Sequence, residues 1–272
     1  MRPLPDFRWP VPHPAAALFI VLALALAAGP AGAEWLIEMQ VTEGGAERPG
    51  RIYLDGGNLR LELDDEPPAR LIYREDGPSL IHLDSTDQTY LVLDRKAASQ
   101  VNDELAAAKR AMETQMAALP PEQRAALERM MPGAPAASER PALQIVPTER
   151  TRQVDGRSCR VRELRRGGEL TGELCVIDWK QAGIARRELR AFRDLARFQQ
   201  DLVREAAGPY GAALASQPFD AFDGLDGYPV ESRQLGGRGG RTRMGLPQER
   251  DTDPSRYRPP EGWRQRSLMP GR

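Results

Sequence analysis

Cys159 and Cys175 are the only cysteines in 272 residues, and they flank the run Arg165-Arg166-Gly167-Gly168. Two thiols at that spacing could hold a metal, exchange electrons or staple the chain. A zinc site needs four ligands, and downstream of the leader discussed below a single histidine, His82, could join the pair. A catalytic dithiol has the spacing C-x-x-C, which these positions lack. In an oxidising compartment a lone pair of cysteines is a structural disulfide. The runs "CRVREL" and "ELTGELCVI" read as two strands joined by glycines in a tight turn. If Leu164 faces Leu170, the register sets Cys159 directly opposite Cys175, and the bridge closes a loop that contributes about 3 kcal/mol by the chain-entropy argument.

The remaining supply for catalysis is thin. His82 alternates with Leu80 and Asp84 along a strand, and a Ser-His-Asp unit through Ser79 or Ser85 has no support in the spacing. Asp64-Asp65-Glu66 lies beside Pro67-Pro68 and reads as a solvated turn, because a calcium loop spaces its oxygen ligands along a longer curve. "GGRGG", Gly236 to Gly240, lacks the lysine and the following helix of a phosphate-binding loop and reads as a hairpin turn. No enzyme, cofactor or metal centre is expected. A hydrolase dependent on His82 is the reading set aside.

The compartment follows from the first residues. The apolar run Ala15–Ala28 is preceded by Arg2 and Arg8 and followed by Ala31-Gly32-Ala33, the pattern of a secretory signal (residues 1–33) cut after Ala33. The run is short of the roughly 20 residues that span a bilayer, and no cysteine near the cut could carry a lipid anchor. A periplasmic product is expected, not membrane-spanning after cleavage. The chain has 38 Lys+Arg against 39 Asp+Glu; losing two arginines and one aspartate with the leader keeps it near neutrality, which argues against a nucleic-acid partner.

The elements that would position these residues are legible from periodicity. From Glu34 to Asp94 short alternating segments are separated by turn residues, giving about six antiparallel strands. Trp35, Ile37, Met39 and Val41 share one face, as do Leu59, Leu61 and Leu63. From Ala97 the apolar spacing changes to three and four, through Val101, Leu105, Ala108, Met112, Met116 and Leu119. That predicts a helical hairpin insertion over 97–131, broken at Pro120-Pro121 and followed by a Pro/Ala linker, 132–142. Strands return to the cysteine hairpin. A long amphipathic helix from about Gln181 to Ala207 buries Leu189, Phe192, Leu195, Gln199 and Leu202, and its other face carries Arg186, Arg187, Arg190, Arg193, Arg197 and Arg204 interleaved with acids. "SQPFDAFDGLDGYPVESRQL" reads as a loop and "SRYRPPEGWRQ" as an ordered aromatic closing segment. The expected organisation is one domain, 34–258, with a tail at 259–272.

Four of the eight methionines, Met112, Met116, Met130 and Met131, fall in the helical hairpin. Methionine repacks readily around irregular apolar surfaces, so they serve either an ordinary core or an apolar guest.

The strand meander "GRIYLDGGNLRLEL…LIYREDGPSLIHLDSTDQTYLVL", the insertion "LPPEQRAALERMM" and the pair "VDGRSCRVREL…GELCVIDW" together resemble exported bacterial proteins classed as a domain of unknown function. Their outline is similar to the lipoprotein-carrier half-barrels of the LolA and LolB type. The resemblance implies an α+β fold: a curved antiparallel sheet, a half-barrel wrapped around helices, with an apolar cavity able to take acyl chains. On that expectation the chain is a non-enzymatic periplasmic module. Trp35, Ile37, Leu59, Leu61, Leu71 and Tyr73 line the hollow, Met112, Met116 and Met130 contact the ligand, and the hairpin acts as plug or lid. The guest would be a lipid, a lipidated protein or peptide, or another apolar group. The alternative is an envelope interaction or sensor protein that docks a partner through its arginine-rich helix.

Overall fold

The computed structural model describes residues 33–117, 119–120, 123, 141, 143–205, 224–236 and 239–267. The signal segment up to Gly32, the second helix of the expected hairpin apart from Gln123, with Met130 and Met131, and almost all of the linker lie outside the described residues.

Alternation of apolar and polar residues gives a meander of six strands: β1 (Ala33–Glu43), β2 (Ala46–Asp55), β3 (Asn58–Leu63), β4 (Ala69–Arg74), β5 (Ser79–Asp84) and β6 (Thr89–Asp94). Asp94 then ends the sheet and starts a helix, α1 (Arg95–Ala117), because its carboxylate accepts the backbone N–H of Ala97 at 2.7 Å. The chain returns as β7 (Leu143–Val154), β8 (Arg157–Arg166) and β9 (Glu169–Ile177). The long helix expected next is divided. A single turn, α2 (Trp179–Ala182), stops where Gly183 takes a left-handed conformation with φ 71°, a backbone state that favours glycine. A 3-10 turn (Arg186–Leu189) then leads into α3 (Arg190–Glu205). The last strands are β10 (Tyr228–Gln234), β11 (Gly240–Met244), β12 (Gln248–Asp251) and β13 (Arg264–Arg266).

The fold is α+β, with few helices and one open, curved sheet of 13 strands among the described residues. Its order is β13-β6-β5-β4-β3-β2-β1-β11-β10-β9-β8-β7, with β12 also paired to β1. All pairs are antiparallel except β13 with β6. The closing segment is ordered as its aromatics suggest. Tyr257 is buried with Ile72, Ile81 and Leu83 on the outer side of β4–β5, and Tyr53, Tyr90 and Trp263 pack against them. "LIHLD" therefore sends apolar side chains to both faces, since Leu80 belongs to the main core and Ile81 and Leu83 to the outer one.

Paired residues share a side of a sheet, so one side can be followed from strand to strand. Met39 faces Met244, on the side that carries Ile37, while Gln40 faces Arg243, Arg243 faces Glu231, Glu231 faces Cys175 and Cys175 faces Val161. Ile37 and Met39 nevertheless meet Cys175 and Val161 in a single core. The two halves of the sheet thus offer opposite sides to one interior, and the right-handed twist rolls the sheet over between them, at β10 and β11.

The cysteines form a disulfide, Cys159–Cys175, with Cα atoms 5.4 Å apart. Their register differs from the expected one. The turn sets Arg165, not Leu164, opposite Leu170, and a bulge between Leu164 and Arg165 adds a second residue of shift, so that Cys175 faces Val161 and the bridge runs diagonally to Cys159 on the same side. The turn itself is Gly167-Gly168, both with positive φ (60° and 86°), the geometry that a two-residue hairpin with matching twist requires. Both sulfurs belong to the buried core. Replacing both cysteines with alanine should lower the unfolding free energy by roughly 3 kcal/mol through the loop-closure contribution alone, plus the loss of buried sulfur. Urea titration of the variant beside the wild type checks this, and a change under about 1 kcal/mol would contradict it.

Candidate functional site

The sheet residues expected to line a hollow do converge. Ile37, Leu59 and Tyr73 are buried in the main core, and Trp35, Leu61 and Leu71 pack against it. What they meet is the chain's own helix. Leu189, Ala191, Phe192, Leu195, Phe198 and Leu202 belong to the same core, and the rings of Tyr73 and Phe198 lie 5.8 Å apart. Burial in this apolar setting, with Asp194 and Glu75 nearby, pushes the Tyr73 phenol up to about 12. The element covering the apolar face is therefore α3. The described part of the insertion, α1, contributes Ala98 to that core at its start, Val101 is buried one turn on, and beyond them its described side chains are largely exposed. Met112 is 39% exposed and Met116 is half-buried, so neither joins the six sheet residues in that core. The physical reason is composition. Alanine and methionine separated by charged residues give α1 a weak apolar stripe, whereas α3 carries leucine and phenylalanine at helical spacing.

The arginine side of α3 is laced with ion pairs. Arg190 makes a two-bonded contact with Glu75 in the β4–β5 turn, at 3.0 and 2.9 Å. Arg193 pairs with Asp194, Arg187 with Glu188, and Asp201 with Arg95 of α1. These contacts are exposed and each stabilises by about 0.5 kcal/mol; they fix the helix's orientation more than its affinity.

A second polar site lies where the sheet rolls over. Glu231 in β10 is fully buried, yet it is surrounded by guanidinium groups. Arg152 Nη1 donates to its Oε1 at 3.0 Å and Arg233 Nε at 2.7 Å, while Arg241 Nε donates to Oε2 at 2.6 Å. Arg243, opposite it in β11, stands 3.8 Å away. Glu173 continues the network, accepting from Arg150 at 2.8 Å and from Arg152; Arg150 also reaches Glu163 at 2.9 Å. Burial alone would raise the Glu231 carboxyl, but the hydrogen bonds from Arg241, Arg233 and Arg152 outweigh it and hold the group below its ordinary range. Glu173 is lowered as well, chiefly by its bond from Arg152, which exceeds the opposing effect of burial.

Periodicity misses this site. Glu231 falls in a stretch that reads as a loop, because Pro229 and the preceding glycines mask the alternation of a strand. The hairpin turn at "GGRGG" is the available signal, since a hairpin requires a strand on each side. His82 lies in β5 and is exposed, and Asp65 of the acidic turn accepts from Arg48 at 2.8 Å. Among the described residues no group of three or more His, Cys, Asp or Glu is placed to hold a metal ion, and no helix is long and apolar enough to cross a membrane.

The depressed carboxyls imply a definite pH dependence. A carboxyl whose folded pKa lies below its unfolded value contributes stability above the unfolded value, near 4.3 for glutamate, and loses that contribution as pH falls through the folded value. Unfolding free energy should therefore decline as pH drops below about 4.3. Glu231→Gln should cost about 3 kcal/mol at pH 7, because it strips a buried charge from its partners, and should make the acid decline shallower. Denaturant titrations from pH 7 to 3 measure both, and an unchanged acid slope in the variant would contradict the assignment.

No family model matches the chain, and no curated protein matches it. Among solved structures it is similar to an uncharacterized conserved protein from Thermus thermophilus, at 8% identity and a TM-score of 0.43, covering 92% of this chain and 98% of that one. It is also similar to PNGF-II, at 8% identity and a TM-score of 0.37, covering 87% of this chain and 31% of the other.

Proposed function

We propose that this chain is an exported, non-enzymatic binding module whose sheet accepts an apolar guest, a lipid or lipidated peptide, in the place that α3 occupies at rest. One observation carries this. The apolar side of the sheet is fitted to an elongated amphipathic body, with Ile37, Leu59 and Tyr73 closed over Leu195, Phe198 and their neighbours. Groove recognition of amphipathic helices uses the same geometry, and α3 would be the resident occupant of such a groove. The helix, rather than the hairpin, is then the plug.

Magnitudes decide which guest could replace it. Five large apolar side chains of the helix and its preceding turn, Leu189, Phe192, Leu195, Phe198 and Leu202, are buried; together they contribute about 10 kcal/mol. A sixteen-carbon acyl chain brings about 12 kcal/mol at roughly 0.8 per buried CH₂, and association costs at least about 4. One chain falls short. Two or three chains on one molecule, as in a phospholipid or a lipoprotein anchor, exceed the combined cost. The surface pairs Arg190–Glu75 and Arg95–Asp201 add little to the barrier.

The test uses the mature chain with native mass spectrometry and fluorescent lipids. A diacyl lipid should load in a one-to-one complex, and a single-chain fatty acid should bind at least about tenfold more weakly. Glu75→Cys with Arg190→Cys, joined by a short thiol crosslinker at the exposed pair, should block loading while leaving the core intact. Failure of the wild type to take up any diacyl lipid would remove the proposal. Equal loading of the tethered form would remove the helix exchange.

A further inference from the structure

A shallow hollow of about 430 Å³, wide open to solvent, lies between the turn joining β1 to β2 and the described residues 233–235 and 239–241 of the β10–β11 pair. Its walls include Thr42, Gly44, Gly45, Gly240 and the side chains of Arg233 and Arg241. The register agrees, because Thr42 faces Arg241 and Arg241 faces Arg233, which puts all three on one side of the sheet. Gly44 and Gly45 have positive φ, and a Cβ at either would meet nothing within 4 Å, so the turn presents bare backbone to the opening. The carboxylates nearest Thr42 are engaged: Glu43 pairs with Arg48, and Glu47, which faces Thr42 from β2, accepts from Gln40 Nε2 at 2.9 Å.

The two arginines are opposed directly across the β10–β11 pair, an arrangement that repulsion disfavours unless negative charge lies between them. Glu231 supplies only part of it. A carboxylate offers about four acceptor sites, and those of Glu231 receive Arg152 Nη1, Arg233 Nε, Arg241 Nε and Arg241 Nη2. The carboxylate is saturated. Each guanidinium has five N–H donors, so donors remain for a further acceptor. Across the connected network Arg150, Arg152, Arg165, Arg233, Arg241 and Arg243 outnumber Glu163, Glu173, Glu231 and Asp155 by two positive charges. Glu231, fixed in the interior, anchors the Nε edges of Arg233 and Arg241, and each of these side chains is about a third exposed at the hollow.

We propose that this hollow is an oxyanion site, taking a phosphate or phosphodiester group between Arg233 and Arg241, with the Thr42 hydroxyl as an additional donor. Gly239 and Gly240 of the "GGRGG" run border it, but its donors are arginine side chains and not the backbone of a phosphate loop, and it holds whether or not α3 gives way to an apolar guest. Paired guanidinium forks suit the planar, multidentate recognition of phosphate oxygens.

Calorimetric titration of the full mature chain with inorganic phosphate, and flotation with phosphatidylcholine vesicles with and without phosphatidylglycerol, test it. Saturable phosphate binding that weakens with salt supports the site for a free anion; capture by the phosphatidylglycerol vesicles alone supports it for a lipid head group. In either arm Arg241→Gln should weaken binding at least about tenfold and Thr42→Val about threefold. Arg187→Gln, an exposed arginine on the 3-10 turn, should change nothing. Thr42→Val leaves the Glu231 network whole, so its effect stands even where Arg241→Gln fails to fold. The proposal is overturned if neither probe binds, if Arg187→Gln weakens binding as much as Arg241→Gln, or if Thr42→Val binds as the wild type does.

Discussion

The fold depends on how a single amphipathic helix is buried. A sheet of short strands with one apolar side must cover that side, and two halves that present opposite sides leave a space too wide for their own side chains to fill. Sheet layers that fill the gap with their own side chains pack about 10 Å apart; a helix, itself about that thick with its side chains, fits only where the layers stand further apart. α3 therefore takes the middle, with Phe192, Leu195 and Leu202 almost wholly buried. The disulfide lies in the same core, where it ties β8 to β9 on the half that must meet the helix. Removing a large side chain here, Leu195 for example, would leave a cavity in that core.

The rollover of the sheet explains why a charged network is buried at all. On β8 and β9 the side carrying Val161 and Cys175 is interior, and where β1 pairs with β11 the same side carries Gln40, which is exposed. Somewhere between, that side must pass from dry to wet, and it does so at Glu231. A carboxylate at such a border is desolvated by the core behind it and can be kept ionised only by cations arriving from the wet side. Arginine suits that position because its fork satisfies several acceptors while its stem lies along apolar surface. A bulge between Pro229 and Glu231 sits at the same point, where the extra residue increases local twist.

Much of this architecture could be read from residue types. The meander β1–β6, the cysteine hairpin and the buried stripe Leu189, Phe192, Leu195, Gln199, Leu202 follow from periods of two and near 3.6, which are set by local backbone geometry. The less legible features are those decided by long-range pairing. Nothing local tells that β1 joins β11, that Arg264–Arg266 runs parallel to β6, or that Cys175 comes to face Val161 on β8. The division of the long helix turns on Gly183, whose left-handed conformation is a tertiary choice. For the site, apolar spacing places the sheet residues on one face but does not say what lies on them. Met112 and Met116 show the converse, since a helical period says that a face exists and not that it is covered. Glu231 stays hidden because a strand carrying Pro, Glu, Ser, Arg and Gln has no apolar alternation to betray it.

An open sheet has two edges, and both are defended by sequence. β13 contributes only three residues, Arg-Gln-Arg, so its free edge is short, charged and exposed. β7 is long, and a long edge invites pairing with another chain. Pro147 removes one donor, and the register breaks between Pro147 and Thr151, where Thr148 turns its hydroxyl to the carbonyl of Val161 at 2.8 Å. Glu149, Arg150 and Arg152 place charge along the same stretch. Because Arg150 and Arg152 are also the cations that reach Glu173 and Glu231, the residues that protect the edge are the ones that keep the buried carboxylates ionised. Replacing them with apolar residues would thus act at two places, exposing a sticky edge and leaving interior charge without its partners.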